Sequence, residues 1–255
     1  MRNVLAIAER ELRAYFSSPI AYVVIGFFSL LYGYFFYALL SYFERQSMQM
    51  GMGQPGQVMN INQMLIGPVL VNATVILLFV FPAITMRTYS EEKRQGTIEL
   101  LLTSPVTDVE IILGKFLGAM TLYAAMLAVT IIHLSLLFIY GNPEWKPIAT
   151  GYLGLFLMGG CFLSVGLLIS SLTKNQVVAA MATFAVFLML WVINWIGAFV
   201  GPTAQAVLQH LSITEHFDDF SRGIIDTKHL IYYLSFIAFG LFLTMKSVDS
   251  ERWRG

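Results

Sequence analysis

Read for apolar and polar positions, the chain divides into six runs without an Asp, Glu, Lys or Arg: 19–43, 46–86, 116–143, 147–173, 175–214 and 229–245. A helix crossing a bilayer needs about 20 apolar residues. The runs therefore predict an all-α, polytopic membrane protein with six transmembrane helices near 20–42, 65–86, 116–140, 151–172, 177–199 and 229–247, forming one domain over 1–255. The fifth run is too long for one span. Its tail, 201–222, is broken at Gly201-Pro202 and predicts a short re-entrant or interfacial helix pair, tolerated at membrane depth only under cover of protein or a water cavity. Ahead of the first span, Val4, Leu5, Ala8, Leu12, Tyr15 and Phe16 fall on one helical face, and Asn3, Glu9, Arg10 and Arg13 on the other. Residues 3–18 thus predict an amphipathic helix suited to the headgroup layer, or equally a polar stub of the first span. Acids inside it and the lack of a small-residue cleavage site are unlike a signal peptide.

The one long polar segment, Arg87 to Lys115, is patterned. Thr88-Tyr89-Ser90-Glu91 reads as a capping box, after which Gln95, Ile98, Leu101 and Leu102 recur at helical spacing, with Glu92, Lys93, Glu99 and Thr103 directed elsewhere. Pro105 stops the helix. Thr107-Asp108-Val109-Glu110 forms a second capping box that opens the next apolar helix. The segment predicts a short amphipathic helix, 88–104, punctuated at both ends, where a passive loop would need neither cap nor break.

Composition sharpens this picture. Hydrophobic residues make up 57% and charged residues 12%, about half the charged share of a soluble domain. Net charge is zero, so there is no electrostatic footprint for nucleic acid. Cys161 is the single cysteine, which excludes an intrachain disulfide. With the N-terminus on one side, that side collects Arg2, Arg10, Arg13, Arg87, Lys93, Arg94, Lys115, Lys174, Lys246, Arg252 and Arg254. The other side has only Arg45, Lys146, Arg222 and Lys228. The asymmetry predicts cytoplasmic termini and a cytoplasmic 87–115 segment.

Candidate chemistry is sparse. The polar residues within the spans include Asn72, His133 and Asn194, candidates for a pathway or gate together with the bend expected at Gly67-Pro68 and Pro82. A lone His in a span more often bonds a neighbouring helix. Gly114-x-x-x-Gly118 and the glycines at 151, 154, 159, 160 and 166 permit close helix approach. Met48-x-Met50-x-Met52 offers soft ligands without a Cys or His beside them. The set His210, Glu215, His216, Asp218, Asp219, Asp226 and His229 lacks the tight spacing of a zinc enzyme. No metal site is expected, and capping at the membrane surface is the favoured role for the latter set. Gly114-Lys115 is no phosphate-binding loop: the preceding Gly is missing and Phe116 replaces Ser/Thr. Energy for active transport would have to come from a partner.

The run Tyr89-Ser-Glu-Glu-Lys-Arg-Gln-Gly-Thr-Ile-Glu-Leu-Leu-Leu-Thr-Ser-Pro105, followed by Gly114-Lys115-Phe116, resembles the signature of ABC-2 type permeases. The tail, His216-Phe-Asp-Asp-Phe-Ser-Arg-Gly-Ile-Ile-Asp226 and then Glu251-Arg252-Trp253-Arg254, is similar to the gliding-motility-associated branch and its relative in nitrous oxide reductase maturation. The resemblance implies an amphipathic elbow helix, six spans, a cytoplasmic coupling helix and an outer re-entrant pair, in the inner membrane. It implies a second permease chain, identical or not, a separate ABC ATPase subunit that binds the ATP and Mg, and room for an auxiliary membrane or periplasmic subunit. The chain itself would be no enzyme and bind no cofactor. By the same resemblance Glu91, Glu92, Arg94, Gly96, Thr97, Glu99, Leu101 and Pro105 would lie at the ATPase contact. Two readings of other classes stay open: an intramembrane metal-handling protein, copper-related, and a membrane scaffold that transports nothing.

Overall fold

The computed structural model describes residues 2–53, 60–98, 105–197, 199 and 201–252. Ten α-helices appear among the described residues, and no strand. They are α1 (Arg2–Ser17), α2 (Ile20–Gly53), α3 (Gly67–Thr85), α4 (Ser90–Gln95), α5 (Asp108–Tyr140), α6 (Trp145–Leu172), α7 (Gln176–Gly197), α8 (Pro202–Leu211), α9 (Ile213–Ser221) and α10 (Thr227–Arg252). Six are long and apolar enough to cross a membrane. A π-helical turn at Asn62–Ile66 leads directly into α3. The Asn60 side chain starts it by accepting the amide N–H of Asn62 at 2.9 Å. The Met48-x-Met50-x-Met52 stretch, beyond the expected end of the first span, continues the helix as far as Gly53, with no proline between Ile20 and Gly53 to stop it.

α6 is the centre of the bundle, packing against α3, α5, α7, α9 and α10. Its glycines explain how it serves so many neighbours. A Cβ built on Gly151 would meet Leu70, on Gly154 Phe220, on Gly159 Tyr123, on Gly160 Ile237 and on Gly166 Thr85, each nearer than 3.0 Å. Removing those methyls lets the neighbouring chains approach within van der Waals contact of the α6 backbone. α3 is similarly enclosed, whereas α2, α7 and α10 are mostly exposed within the single chain.

The expected amphipathic helix is α1, and its packed side is laid against α5. Gly114 and Gly118 make the seam: a Cβ there would stand 2.6 Å from Ile7 and 2.8 Å from Glu11. The small-residue pair of α5 therefore receives α1 rather than another span. α8 and α9, separated at Ser212, occupy the region expected for the outer helix pair. The Ser212 side chain caps α9 by accepting from the Glu215 amide.

Candidate functional site

The second capping box forms as its sequence predicts. Thr107 Oγ1 accepts from the Glu110 amide at 3.3 Å, and a Glu110 carboxylate oxygen accepts from the Thr107 amide at 3.1 Å. That carboxylate also receives Asn3 Nδ2 at 3.2 Å, so the start of α5 is tied to the start of α1.

The first box does not form. α4 begins after Tyr89 with no side-chain cap, and Thr88 Oγ1 is buried without a partner among the described residues. The amides of Tyr89 and Ser90 instead donate to Ser170 Oγ on α6, at 3.1 and 3.2 Å. A residue 80 positions away does the work of a local cap. Of the predicted helix over 88–104, residues 99–104 lie outside the described residues, and the first helical stretch is α4. It stops at Gln95 because Gly96 adopts a left-handed conformation, φ 73°, and its N–H closes on the Glu92 carbonyl. Gly at this C-terminal position ends helices for that reason.

Around α4 lies a buried ion cluster. Lys115, its side chain 1% exposed, donates to Glu11 at 2.9 Å, to Glu92 at 2.8 Å and to the Thr88 carbonyl at 2.9 Å. Three acceptors match the three N–H donors of one ammonium. The Lys115 nitrogen also lies 5.1 Å from the centre of the buried Tyr89 ring, within cation–π range. Arg10 extends the cluster, 3.1 Å from Glu11 and 3.5 Å from Glu92. On the other side of α4, Lys93 is buried against Glu251 of α10 at 2.7 Å. α4 is thus joined to α1, α5, α6 and α10. A cleft of about 400 Å³ opens beside the cluster, bounded by Arg10, Glu11, Tyr15, Arg87, Glu91 and Glu92.

Of the residues named from the sequence, Glu92 turns inward to Lys115. Glu91 pairs with Arg87 at 3.2 Å and accepts from Gln95. Arg94, Gly96 and Thr97 are exposed together on the outward turn, as is Pro105. A Cβ on Gly96 would meet nothing within 4 Å, so within this chain its backbone angle, not close approach, demands glycine. Glu99 and Leu101 lie outside the described residues. His133 sits between Tyr32 and Phe36 of α2, packed on Gly33. Asn72 bonds its own helix at the Pro68 carbonyl and borders a second, polar cleft of about 630 Å³ with Asn62, Glu144, Asp218 and Arg222. Pro82 is buried inside α3. Asn194 belongs to α7, its side chain outside the described set. These four are not brought together with the α4 cluster. No group of three or more metal-ligating side chains occurs among the described residues.

Sequence reasoning missed Glu11 and Lys115. Both carried a signal: Glu11 falls midway between Ile7 and Tyr15, one turn from each, on the buried side of α1. Lys115 shares a face with Ile111, Ile112 and Ala119, all buried. A charge on an apolar stripe asks for a partner.

Residues 5–245 match the model of a family described as ABC-2 family transporter protein. The chain is also 30% identical over 146 residues to the protein named "Probable multidrug ABC transporter permease YbhR" of Escherichia coli strain K12, and equally to its counterpart in strain O157:H7. That match covers 55% of this chain and 38% of each relative. With the family model spanning nearly all of a chain whose six apolar helices carry the bundle, this protein belongs to the ABC-2 transporter family.

Proposed function

We propose that this chain is a permease subunit of an ABC exporter, with both termini and α4 on the cytoplasmic side of the inner membrane. It pairs with a second permease chain and is driven by a separate ATPase subunit that binds the nucleotide. In this reading α1 is the elbow, the α4 region the coupling element and α8–α9 the outer re-entrant pair. The tail motif from His216 to Asp226 supports a place in the gliding-motility-associated branch. The mostly exposed apolar faces of α2 and α7 offer the surface for the second chain. The cargo of the relatives' printed name, multidrug, gives amphiphilic drugs as the first substrates to try.

The observation that carries the proposal is the cluster in which Lys115 holds Glu92 of α4 to Glu11 of α1. An element that transmits a push must be joined to what it moves. Arg94, Gly96 and Thr97 face outward for a partner, while the inner side of α4 is fixed by charge-assisted bonds. The test is to purify the chain from its native membrane, identify the subunits that accompany it, and reconstitute them. The permease should raise the ATPase rate of its partner, and Lys115→Met should abolish that stimulation while leaving the subunits bound. Bound subunits with no ATPase among them would favour the scaffold reading. Impermeant labelling of Gln95→Cys only in broken cells, and of Lys146→Cys in intact spheroplasts, is expected for the stated orientation.

A further inference from the structure

At the end of the bundle opposite to α4, His216 of α9 and His229 of α10 face each other through their Nδ1 atoms at 2.6 Å. Both rings are buried, each 5% exposed. Their far nitrogens are also engaged. His216 Nε2 is 3.0 Å from the carbonyl oxygen of His210, and His229 Nε2 is 2.7 Å from Asp219 Oδ2. A carbonyl only accepts, so His216 must carry its proton on Nε2. A chain of three links, Asp219 to His229 to His216 to the His210 carbonyl, needs one proton in each link.

Counting protons fixes the state. Two neutral imidazoles beside an ionised carboxylate hold two protons, which leaves either the two Nδ1 lone pairs opposed at 2.6 Å or the His229 Nε2 lone pair against the Asp219 carboxylate. Four protons put two N–H groups head to head. Only the three-proton state closes all three links, and its net charge is zero. We infer that His216, His229 and Asp219 form a site that binds one shared proton and thereby fastens the outer helix pair to the last membrane helix.

The surroundings support a site of this kind. The Tyr232 ring stacks on His216 with centroids 3.8 Å apart and sends its hydroxyl to the Leu211 carbonyl. Tyr233 lies against the edge of His216 and bonds the Ile213 carbonyl. From α8 the titratable neighbour is His210, and from α10 the cations and phenols are Lys228, Tyr232 and Tyr233. Asp226 precedes α10 and holds Lys228 at 3.0 Å, while Lys228 also stands 4.0 Å from Asp219. On α9, Glu215 and Asp218 are on the exposed side, Asp218 paired with Arg222. From α6 the nearest titratable group is Cys161, bonded to the Tyr233 carbonyl.

The direction of response follows. Burial holds the His216 imidazole below the usual histidine range, and the nearby His229, His210 and Lys228 push the same way against the His210 carbonyl. A depressed folded-state value means the stabilisation is present above about pH 6.5 and is lost as pH falls through that lower value. A proton taken from solvent by His216 Nδ1 breaks the ring-to-ring link. α9 remains attached through Thr150 to the Phe220 carbonyl and Tyr233 to the Ile213 carbonyl, so the opening is confined to the α8–α9 corner. The two facing nitrogens stand closer than two ligands of one metal ion, each about 2.0–2.1 Å from it, can stand in tetrahedral geometry.

The experiment uses the full chain in lipid nanodiscs with 15N-labelled histidine. Near pH 7.5 it should show a through-hydrogen-bond coupling between two ring nitrogens, absent in His216→Phe and in His229→Gln and lost from the wild type as pH falls below the usual histidine range. Should either ring variant fail to fold, Asp219→Asn keeps both rings and removes only the counter-charge. It should weaken the ring-to-ring coupling near pH 7.5, where the wild type retains it. Two neutral rings without coupling from pH 5 to 8, or a metal bound one per chain to both rings, would overturn the proposal, as would an Asp219→Asn profile equal to wild type.

Discussion

At the end of the bundle that holds both termini, Lys115 gives each of its three N–H groups to an acceptor, and Lys93 is sealed against Glu251. At the opposite end the corresponding fastening is two imidazoles and one carboxylate joined by a proton count. The first fastening is a set of charge-assisted bonds converging on one buried ammonium, with no histidine among its members. The second turns on His216, whose imidazole is held by burial below the usual histidine range, so that end is held conditionally. Under the proposed function, the fixed end is the one a partner would push and the conditional end lies on the opposite side of the membrane.

The largest break should come from Lys115→Met. It leaves the partly buried Glu11 and Glu92 with only the exposed Arg10 as cation, a loss of at most about 3–5 kcal/mol, read as a lowered unfolding midpoint in detergent. Lys115→Met with Glu11→Gln and Glu92→Gln should recover much of that stability, because the charges leave together, yet should not recover ATPase stimulation. Recovery of both would reduce the cluster to a fold element.

Gly118→Val comes next. It forces a side chain into the seam occupied by Glu11 and the Ala8 carbonyl, at about 1–3 kcal/mol for overpacking. Protease sensitivity should rise in α1 before the rest of the chain. At the far end, Asp219→Asn should cost about 1.5–3 kcal/mol near neutral pH, as a hydrogen bond to a charged group, and leave the midpoint of the α4 end unchanged. The smallest effect belongs to Gly96. Gly96→Ala should cost about 1–2 kcal/mol for a left-handed residue and Gly96→Asn less, because space around it is open. Equal losses would mean that packing, not φ, selects glycine there.

The contrast also marks what could be read from the chain. The six spans and the Thr107–Glu110 box are local: apolar length and a four-residue motif suffice, and both appear. The Thr88 box has the same motif and fails, since Ser170 of α6 supplies the acceptor for those amides. Which of two capping boxes forms depends on a residue 80 positions away. Lys115 and Glu11 are 104 positions apart, and no periodicity pairs them, although each stood on an apolar stripe. The His216–His229 link joins residues both noted in the sequence, but their facing nitrogens follow from the turn between α9 and α10.

The most direct measurement asks whether α4 moves with α1 as one body. Spin labels at Arg13→Cys and Arg94→Cys, both exposed, in a Cys161→Ser chain reconstituted with the proposed ATPase partner, report their separation by electron–electron resonance. Through nucleotide binding and hydrolysis the distance should stay fixed and narrowly distributed, and should broaden once Lys115→Met is added. A wild-type distance that changes with nucleotide, or one indifferent to Lys115→Met, would contradict the account.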